Sequence, residues 1–164
     1  MKRIFYLLAA VIGLCITSSC GKDFFDQVLL EGNWGLVLDE MVTSVNGEVT
    51  EPIITECDPF SPRDEIDTQL AIRNISGNQY EFSEYNWNRV SSGWVFSRKL
   101  PLIKRNNVLF EIVSGREVEY GHFTLSASEL TIESVYVTVE LLSGVRVETS
   151  TVSRRTYRRL SSLL

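Results

Sequence analysis

The sequence predicts an all-β protein, an antiparallel up-and-down meander of about eight or nine strands that closes into a β-barrel. From Trp34 onwards, apolar and polar residues alternate with the period of a half-buried strand. Turn-forming residues interrupt this alternation at hairpin spacing, and no segment among them has the length and period of a long helix. Closure is expected because it removes the two exposed edges of an open meander.

An N-terminal segment precedes the meander and differs from it. Lys2 and Arg3 are followed by an uncharged apolar run over residues 4–16, and small polar residues then lead to Cys20. This is the pattern of a secretory signal peptide, which we assign to residues 1–19. The run is shorter than the roughly 20 apolar residues that a membrane-spanning helix needs, and no later stretch approaches that length.

The residues Ser18-Ser19-Cys20 resemble the lipobox of bacterial lipoproteins, in which diacylglycerol alkylates the cysteine thiol and the cysteine becomes the new N-terminus. The resemblance implies lipid attachment at Cys20. Two or three acyl chains, at about 0.8 kcal/mol per buried methylene, would hold the protein stably on a membrane. The alternative is ordinary cleavage, which leaves Cys20 free to form a disulfide with Cys57. The two outcomes exclude each other because a thioether sulfur cannot enter a disulfide.

The composition is that of one globular domain, with 44% hydrophobic and 23% charged residues. Removal of the signal takes Lys2 and Arg3 away and leaves 14 basic and 21 acidic residues, a net charge of −7. This charge disfavours binding to nucleic acid or to anionic membrane surfaces. We divide the chain into the signal peptide, a lipid anchor with tether and short helix over residues 20–31, and the barrel domain over residues 32–164.

The first elements of the chain are a short helix and a hairpin strand. Over residues 23–30, apolar residues fall at helical spacing behind Asp23, which can cap a helix, so we predict a short helix or 3₁₀ turn at one end of the barrel. The first strand, residues 34–45, ends at Asn46-Gly47. This pair is typical of a two-residue hairpin because both central residues of a type I′ turn need positive φ.

The return strand over residues 48–55 contains Pro52, which predicts an edge position or a bulge because proline donates no ladder hydrogen bond. A proline-rich loop follows at residues 57–64. The remaining predicted strands, separated by short turns rich in Gly, Ser and Asn, are residues 66–75, 79–87, 94–104, 108–113, 116–125, 129–142 and 145–160.

The first strand opens on Gly32-Asn33-Trp34, which follows the short helix, and the last strand is rich in arginine. This combination resembles the lipocalin superfamily, and the whole mature chain resembles the lipocalin-like lipoproteins of Bacteroidetes. In lipocalins the tryptophan of Gly-x-Trp closes one end of the barrel, and an arginine of the last strand lies across its ring. The resemblance therefore implies that the opposite end is left for function.

Four arginines of the last strand are candidates for the contact with Trp34: Arg154, Arg155, Arg158 and Arg159. Alternation puts Arg154 and Arg158 on one face, and Arg155 and Arg159 on the other face with Tyr157. We favour Arg154 or Arg158. A guanidinium over an aromatic face contributes about 0.5 to 2 kcal/mol. The expected structural closure is thus Gly32 and Trp34 with Arg154 or Arg158.

Aromatic pairs at strand spacing offer candidates for a ligand pocket. Tyr80 with Phe82, and Trp94 with Phe96, could line a cavity for an apolar ligand. They could equally belong to a packed core, because the interior of a barrel of about eight strands is just wide enough for side chains to fill.

Residues that could carry chemistry are few. His122 is the only histidine, so a multi-histidine zinc site is excluded, and a plain strand histidine is the favoured interpretation. Cys57 has only Arg63 nearby to lower its pKa, which favours an unreactive thiol. The acids around the loop, whose spacing is not that of an EF-hand, are Glu56, Asp58, Asp64, Glu65 and Asp67. We therefore expect no catalytic residue, metal or cofactor.

The sequence favours a non-enzymatic binding module, lipid-anchored in the bacterial cell envelope at the outer membrane, on either its periplasmic or its surface face. The barrel interior or open mouth would hold a small apolar or amphipathic molecule. The alternative is an interaction or structural lipoprotein that docks a protein partner or envelope component through loops such as residues 57–65, with a packed barrel and no ligand. A monomer is expected in both cases.

Overall fold

The computed structural model describes residues 30–63, 66–143 and 145–163, and all of its strands run antiparallel to their neighbours. The predicted all-β, up-and-down meander is confirmed in this part of the chain. Its strands are β1 (Gly32–Val45), β2 (Glu48–Val49), β3 (Ile53–Glu56), β4 (Thr68–Ser76), β5 (Gln79–Asn88), β6 (Gly93–Arg105), β7 (Val108–Val113), β8 (Arg116–Leu125), β9 (Glu129–Leu142) and β10 (Val145–Leu160).

The strands form a ring because the first and last pair with each other. One edge of β1 pairs with β10 along almost its whole length, from Asn33 opposite Leu160 to Val45 opposite Thr149. Its other edge pairs with β4, β3 and β2 in turn. The remaining strands connect β4 to β10 as consecutive hairpins. The meander therefore closes where its last strand, β10, pairs with its first strand, β1.

The first hairpin turns at Asn46-Gly47, with φ values of 51° and 86°, as the sequence predicts. The predicted single return strand is divided into β2 and β3 around Pro52. Residues 57–63 and 66–67, here called the excursion, lie between β3 and β4. Because Cys57 N donates to the Val37 carbonyl oxygen and Gln69 pairs with Gly35, β3 and β4 follow the same edge of β1.

A packed apolar core fills one end of the ring, here called the closed end, where β1 begins and β10 finishes. The turns joining β4 to β5, β6 to β7 and β8 to β9 lie at this end. The described core side chains are Leu30, Trp34, Leu36, Leu70, Ile72, Tyr80, Phe82, Leu102, Leu109, Phe123, Leu130, Ile132 and Tyr157.

The opposite, open end of the ring is incompletely paired. The ladder between β6 and β7 includes only Leu102 to Arg105 of β6, and the ladder between β8 and β9 includes only His122 to Leu125 of β8. Beyond these residues the neighbouring strands separate. The strands β9 (14 residues) and β10 (16 residues) continue toward the open end as a long hairpin, and β10 pairs with β1.

The predicted signal peptide, Cys20 and residues 23–29 of the predicted short helix lie outside the described residues. Leu30 is described, and its side chain is fully buried in the core. Within the described ranges, no helix has the length and apolar character to cross a membrane.

Candidate functional site

Trp34 plugs the closed end of the ring. Its side chain is fully buried, and its indole Nε1 donates a hydrogen bond of 3.1 Å to the Leu30 carbonyl oxygen. The guanidinium carbon of Arg159 lies 4.2 Å from the centre of the Trp34 ring, within the range of a cation–π contact. The hydrogen bond satisfies the one polar atom of the indole, so the ring can be buried without a desolvation penalty.

Arg159 also ties together the segments that meet at the closed end. Its Nη1 donates to the Glu31 carbonyl oxygen at 2.8 Å, and its Nε donates to the Ala127 carbonyl oxygen at 3.1 Å. Burial lowers the pKa of this guanidinium from its ordinary value. Arg159 therefore joins the start of β1 to the turn between β8 and β9.

Gly32 makes room for this arginine. A Cβ atom on Gly32 would lie 2.6 Å from Arg159 Nη1, which is too close for any real contact. Its φ is +142°, a backbone conformation that L side chains rarely adopt. Glycine at this position thus serves both the backbone bend and the approach of the guanidinium to the ring.

The expectation that Arg154 or Arg158 contacts Trp34 was wrong. Tyr157 points into the core, so the residues that share its face, Arg155 and Arg159, point inward too. Arg154 lies on the outer face and pairs with Glu133 at 2.7 Å, and Arg158 is exposed. The apolar character of Tyr157 was the signal in the sequence that identifies the inner face.

The four aromatic side chains expected to line a pocket lie in two different places. Tyr80 and Phe82 are 1% and 2% exposed and belong to the packed core. Trp94 and Phe96 lie on the outside, since their cross-strand partners, Trp87 and Tyr85, are on the outer face of β5.

A β-bulge causes this reversal. Glu84 pairs with Arg98 and Tyr85 pairs with Phe96, so Ser97 is an extra residue in β6. One extra residue moves all following side chains to the other face of the strand. Without it, Trp94 and Phe96 would share the inward face of Leu102.

The outward aromatic side chains form a cluster that the sequence did not reveal. Trp87 and Trp94 contact edge to face at 5.5 Å between ring centres, and Tyr85 and Phe96 do so at 5.8 Å. We call these four side chains the aromatic cluster. Phe96 remains about half exposed.

The excursion lies beside the aromatic cluster. Arg89, which follows β5, donates from Nε to the Arg63 carbonyl oxygen at 2.8 Å, and Trp87 N donates to the Asp67 carbonyl oxygen at 3.0 Å. Phe60, within the excursion, is 63% exposed. Phe60 and the outward aromatic rings of β5 and β6 therefore belong to neighbouring segments.

A surface pocket of about 380 Å³ lies under the excursion. Cys57 on its wall is a free thiol whose pKa is raised to about 12 by burial and by the neighbouring carboxylate of Asp67. Such a thiol is protonated at physiological pH and is a poor nucleophile. The described lining residues are Thr55, Glu56, Cys57, Asp58, Ser61, Arg63, Ile66 and Asp67.

The acids of the excursion do not gather into a cation site in the described part of the chain. Asp67 Oδ2 accepts a hydrogen bond from Arg63 N at 2.6 Å, and Asp58 Oδ1 accepts one from Phe60 N at 3.0 Å. These carboxylates shape the loop. No group of three or more His, Cys, Asp or Glu side chains suited to a metal is found among the described residues, and Asp64 and Glu65 lie outside them.

His122 lies on the outer face, where Nε2 is 3.2 Å from Glu119 Oε1. It borders a second surface pocket of about 370 Å³. The other residues of this pocket are Asn107, Phe123, Thr124, Thr131, Glu133 and Arg154.

A polar layer lies above the core, facing the open end. Arg155 Nε is 3.2 Å from the buried carboxylate of Asp39, and Arg98 Nη2 is 3.0 Å from the buried carboxylate of Glu84. Both carboxylates are thus neutralised by arginines that remain partly exposed. Asp39 Oδ1 is buried and has no hydrogen-bond partner in the described residues.

Tyr120 belongs to the same layer. Burial raises the pKa of Tyr120 and the neighbouring Tyr136 raises it further, whereas the charges of Arg98 and Arg155 oppose that rise. The pKa values of Arg98 and Arg155 are both raised, although burial alone would lower them. The neighbouring Glu84 raises the pKa of Arg98, and Tyr157 and Asp39 raise the pKa of Arg155. The layer therefore presents charged arginines and a neutral phenol at neutral pH.

No protein-family model matches this chain, and no curated protein matches it. The molecule combines a sealed closed end, a polar layer toward the open end, and an aromatic outer surface.

Proposed function

We propose that this protein is a non-enzymatic interaction module that docks a protein partner or envelope component on its outer surface. The observation that carries the proposal is the location of its aromatic side chains. Tyr80 and Phe82 fill the core, whereas Trp94 and Phe96 lie outside. Outward-facing aromatic side chains, here three half-buried rings and the half-exposed Phe96, are typical of interaction surfaces, because such side chains offer large contact areas.

The docking surface combines the aromatic cluster with the excursion. Phe60 and Phe96 are its most exposed large hydrophobic side chains among the described residues, and the hydrogen bond from Arg89 to the excursion holds the two parts together. This surface includes most of the loop, residues 57–65, that the sequence favours for docking.

The barrel and its resemblance to lipocalins belong to the proposal as well. The ring of strands and the contact between Trp34 and Arg159 support a lipocalin-like barrel sealed at one end. The N-terminal pattern ending at Cys20 supports a lipid anchor in the bacterial envelope, at the outer membrane. Cys57 is a free thiol, which is compatible with an alkylated Cys20.

Photo-crosslinking in intact cells tests the docking surface. A photoreactive residue would replace Phe60 or Phe96, and in a control it would replace Ile75, which is equally exposed but lies near the turn between β4 and β5. A discrete cross-linked product is expected from both surface positions and not from the control. Equal products, or none, from all three positions would refute the docking surface.

A second candidate function is the binding of an amphipathic small molecule at the open end. The polar layer favours it, since Asp39 Oδ1 is buried without a hydrogen-bond partner in the described part and could accept one from a ligand. The ligand's polar group would meet Arg98 and Arg155. Native mass spectrometry of protein purified from its source should then detect a bound molecule that Asp39→Ala abolishes.

A further inference from the structure

The strand β9 has an open edge over residues 134–142. The ladder with β8 finishes at the pair His122 and Glu133, and no described strand pairs with that edge of β9 afterwards. Its other edge is fully paired with β10 out to Leu142. Unpaired N–H and C=O groups on such an edge can accept another strand.

The outer face of this edge is apolar. Val135, Val137, Val139 and Leu141 alternate along it, and each is more than half exposed. The apolar surface continues across the sheet from β9 to β1, because Val135 pairs with Val152 of β10, and Val152 pairs with Val42 of β1. Exposed apolar side chains in a contiguous row usually mark a contact surface.

The open edge of β6 carries features that discourage strand pairing. On β6, the residues beyond the ladder with β7 include Arg98, Lys99 and Pro101. Lysine and proline are the residues with which natural sheets protect their edges. Between Ser134 and Leu141, β9 has a single charge, at Glu140, and no proline. The contrast indicates that the edge of β9 is not protected from pairing.

We propose that β9 pairs antiparallel with β9 of a second copy of this chain, with a two-fold axis through Thr138. Residues opposite one another would be Val135 with Leu141, Tyr136 with Glu140, and Val137 with Val139. The outer face of the joint sheet would then be apolar throughout. The only charge of the segment would face a phenol and not a like charge, which favours cross-strand pairing.

A second copy fits this edge because the segment is complementary to itself. A two-fold interface uses the same surface on both subunits, and an antiparallel strand pair has that symmetry. Four apolar side chains from each copy would line the joint sheet. The pairing gives a dimer in place of the monomer that the sequence alone suggests, and it uses a surface separate from the docking surface.

Disulfide trapping in membranes that hold the full-length protein tests the register. Residues opposite each other in an antiparallel pair have Cα atoms about 4.5 to 5.5 Å apart, which suits a disulfide. Under mild oxidation, Thr138→Cys should double the apparent mass, because residue 138 lies opposite itself. Val49→Cys, an exposed position on β2, controls for random collisions between tethered molecules.

A second pair of variants keeps the test independent of thiol chemistry. Val137→Lys with Val139→Lys, added to Thr138→Cys, should abolish the trapped dimer, whereas Val49→Lys added to Thr138→Cys should leave it intact. Circular dichroism would verify that both proteins fold. The proposal is overturned if Thr138→Cys traps no more dimer than Val49→Cys, if the two lysines leave the dimer unchanged, or if the trapped product contains a different protein.

Discussion

Arg159 and Trp34 lie directly opposite each other on the last and first strands, with the guanidinium 4.2 Å above the indole ring. The contact therefore joins the two strands whose pairing closes the ring. Three hydrogen bonds are also formed there, since the indole donates to the Leu30 carbonyl oxygen and the guanidinium donates to the carbonyl oxygens of Glu31 and Ala127. The sealed end is thus a single packed unit.

Replacing Arg159 should weaken this unit. The Arg159→Ala protein would lose the cation–π contact and two charged hydrogen bonds, and we expect a destabilisation of at least about 2 kcal/mol. The matched control is Arg158→Ala, at the adjacent exposed position, for which we expect less than about 0.5 kcal/mol. Urea unfolding measures both. Equal losses would mean that the contact over Trp34 contributes nothing specific.

Gly32→Ala should be destabilising by about 1 to 3 kcal/mol, because the added Cβ displaces Arg159 and the φ of +142° becomes strained. Gly93→Ala is the control, since its Cβ would meet nothing closer than 3.9 Å. Thermal unfolding compares the two proteins. If Gly32→Ala were as stable as Gly93→Ala, the guanidinium would not depend on this glycine.

Trp34→Ala should cost about 3 to 5 kcal/mol, as a large truncation in a filled core. Trp94→Ala removes the same side chain from the outer surface and should cost far less. The difference in unfolding free energy between the two variants measures the plug at the closed end. A loss below about 1 kcal/mol for Trp34→Ala would show that Trp34 is not a plug.

How far the sequence predicts this molecule depends on whether the strand period is regular. Turn residues such as Asn46-Gly47 determine where strands finish, so the order and hairpin connections of the meander could be predicted. Bulges leave no such mark in the sequence. The extra residue Ser97 moves Trp94 and Phe96 outward, and an extra residue at Val37 turns Asp39 inward.

The candidate site was therefore harder to predict than the fold. Side-chain alternation correctly grouped Arg159 with Tyr157, but alternation alone does not say which of the two faces is inward, and the aromatic ring of Tyr157, which is buried in the core, decides this. The polar layer depends on contacts between distant strands, such as Asp39 on β1 with Arg155 on β10. No local pattern encodes such contacts.

Cys57 should be slow to alkylate. Because burial and Asp67 raise its pKa from 9.0 to about 12, its thiolate is scarce at pH 8, and iodoacetamide should modify it much more slowly than an exposed cysteine placed by Val49→Cys. Peptide mass mapping follows each site. If the alkylation rate of Cys57 instead increased with pH as it does for an exposed thiol of ordinary pKa, the burial of Cys57 beside Asp67 would not raise its pKa.

The same shift makes stability depend on pH. Between pH 9 and 12 the unfolded thiol loses its proton while the folded thiol keeps it, so the unfolded state binds fewer protons and stability falls as pH rises. Below pH 9 the thiol has no such effect. The raised pKa values of Tyr120 and Tyr157 also make the folded protein less stable at high pH. The contribution of Cys57 is therefore the part of the decline in stability that Cys57→Ser removes.

The packed interior and the aromatic exterior predict opposite behaviour for two phenylalanines. Phe82→Ala should destabilise the protein by about 3 to 5 kcal/mol, because Phe82 is 2% exposed within the core. Phe96→Ala should cost less than about 1 kcal/mol, because half of its side chain is already in solvent. The second variant should nevertheless lose the partner cross-linked through Phe60. A stable Phe82→Ala protein would indicate a hollow interior, and a Phe96→Ala protein that keeps its partner would exclude the aromatic cluster from docking.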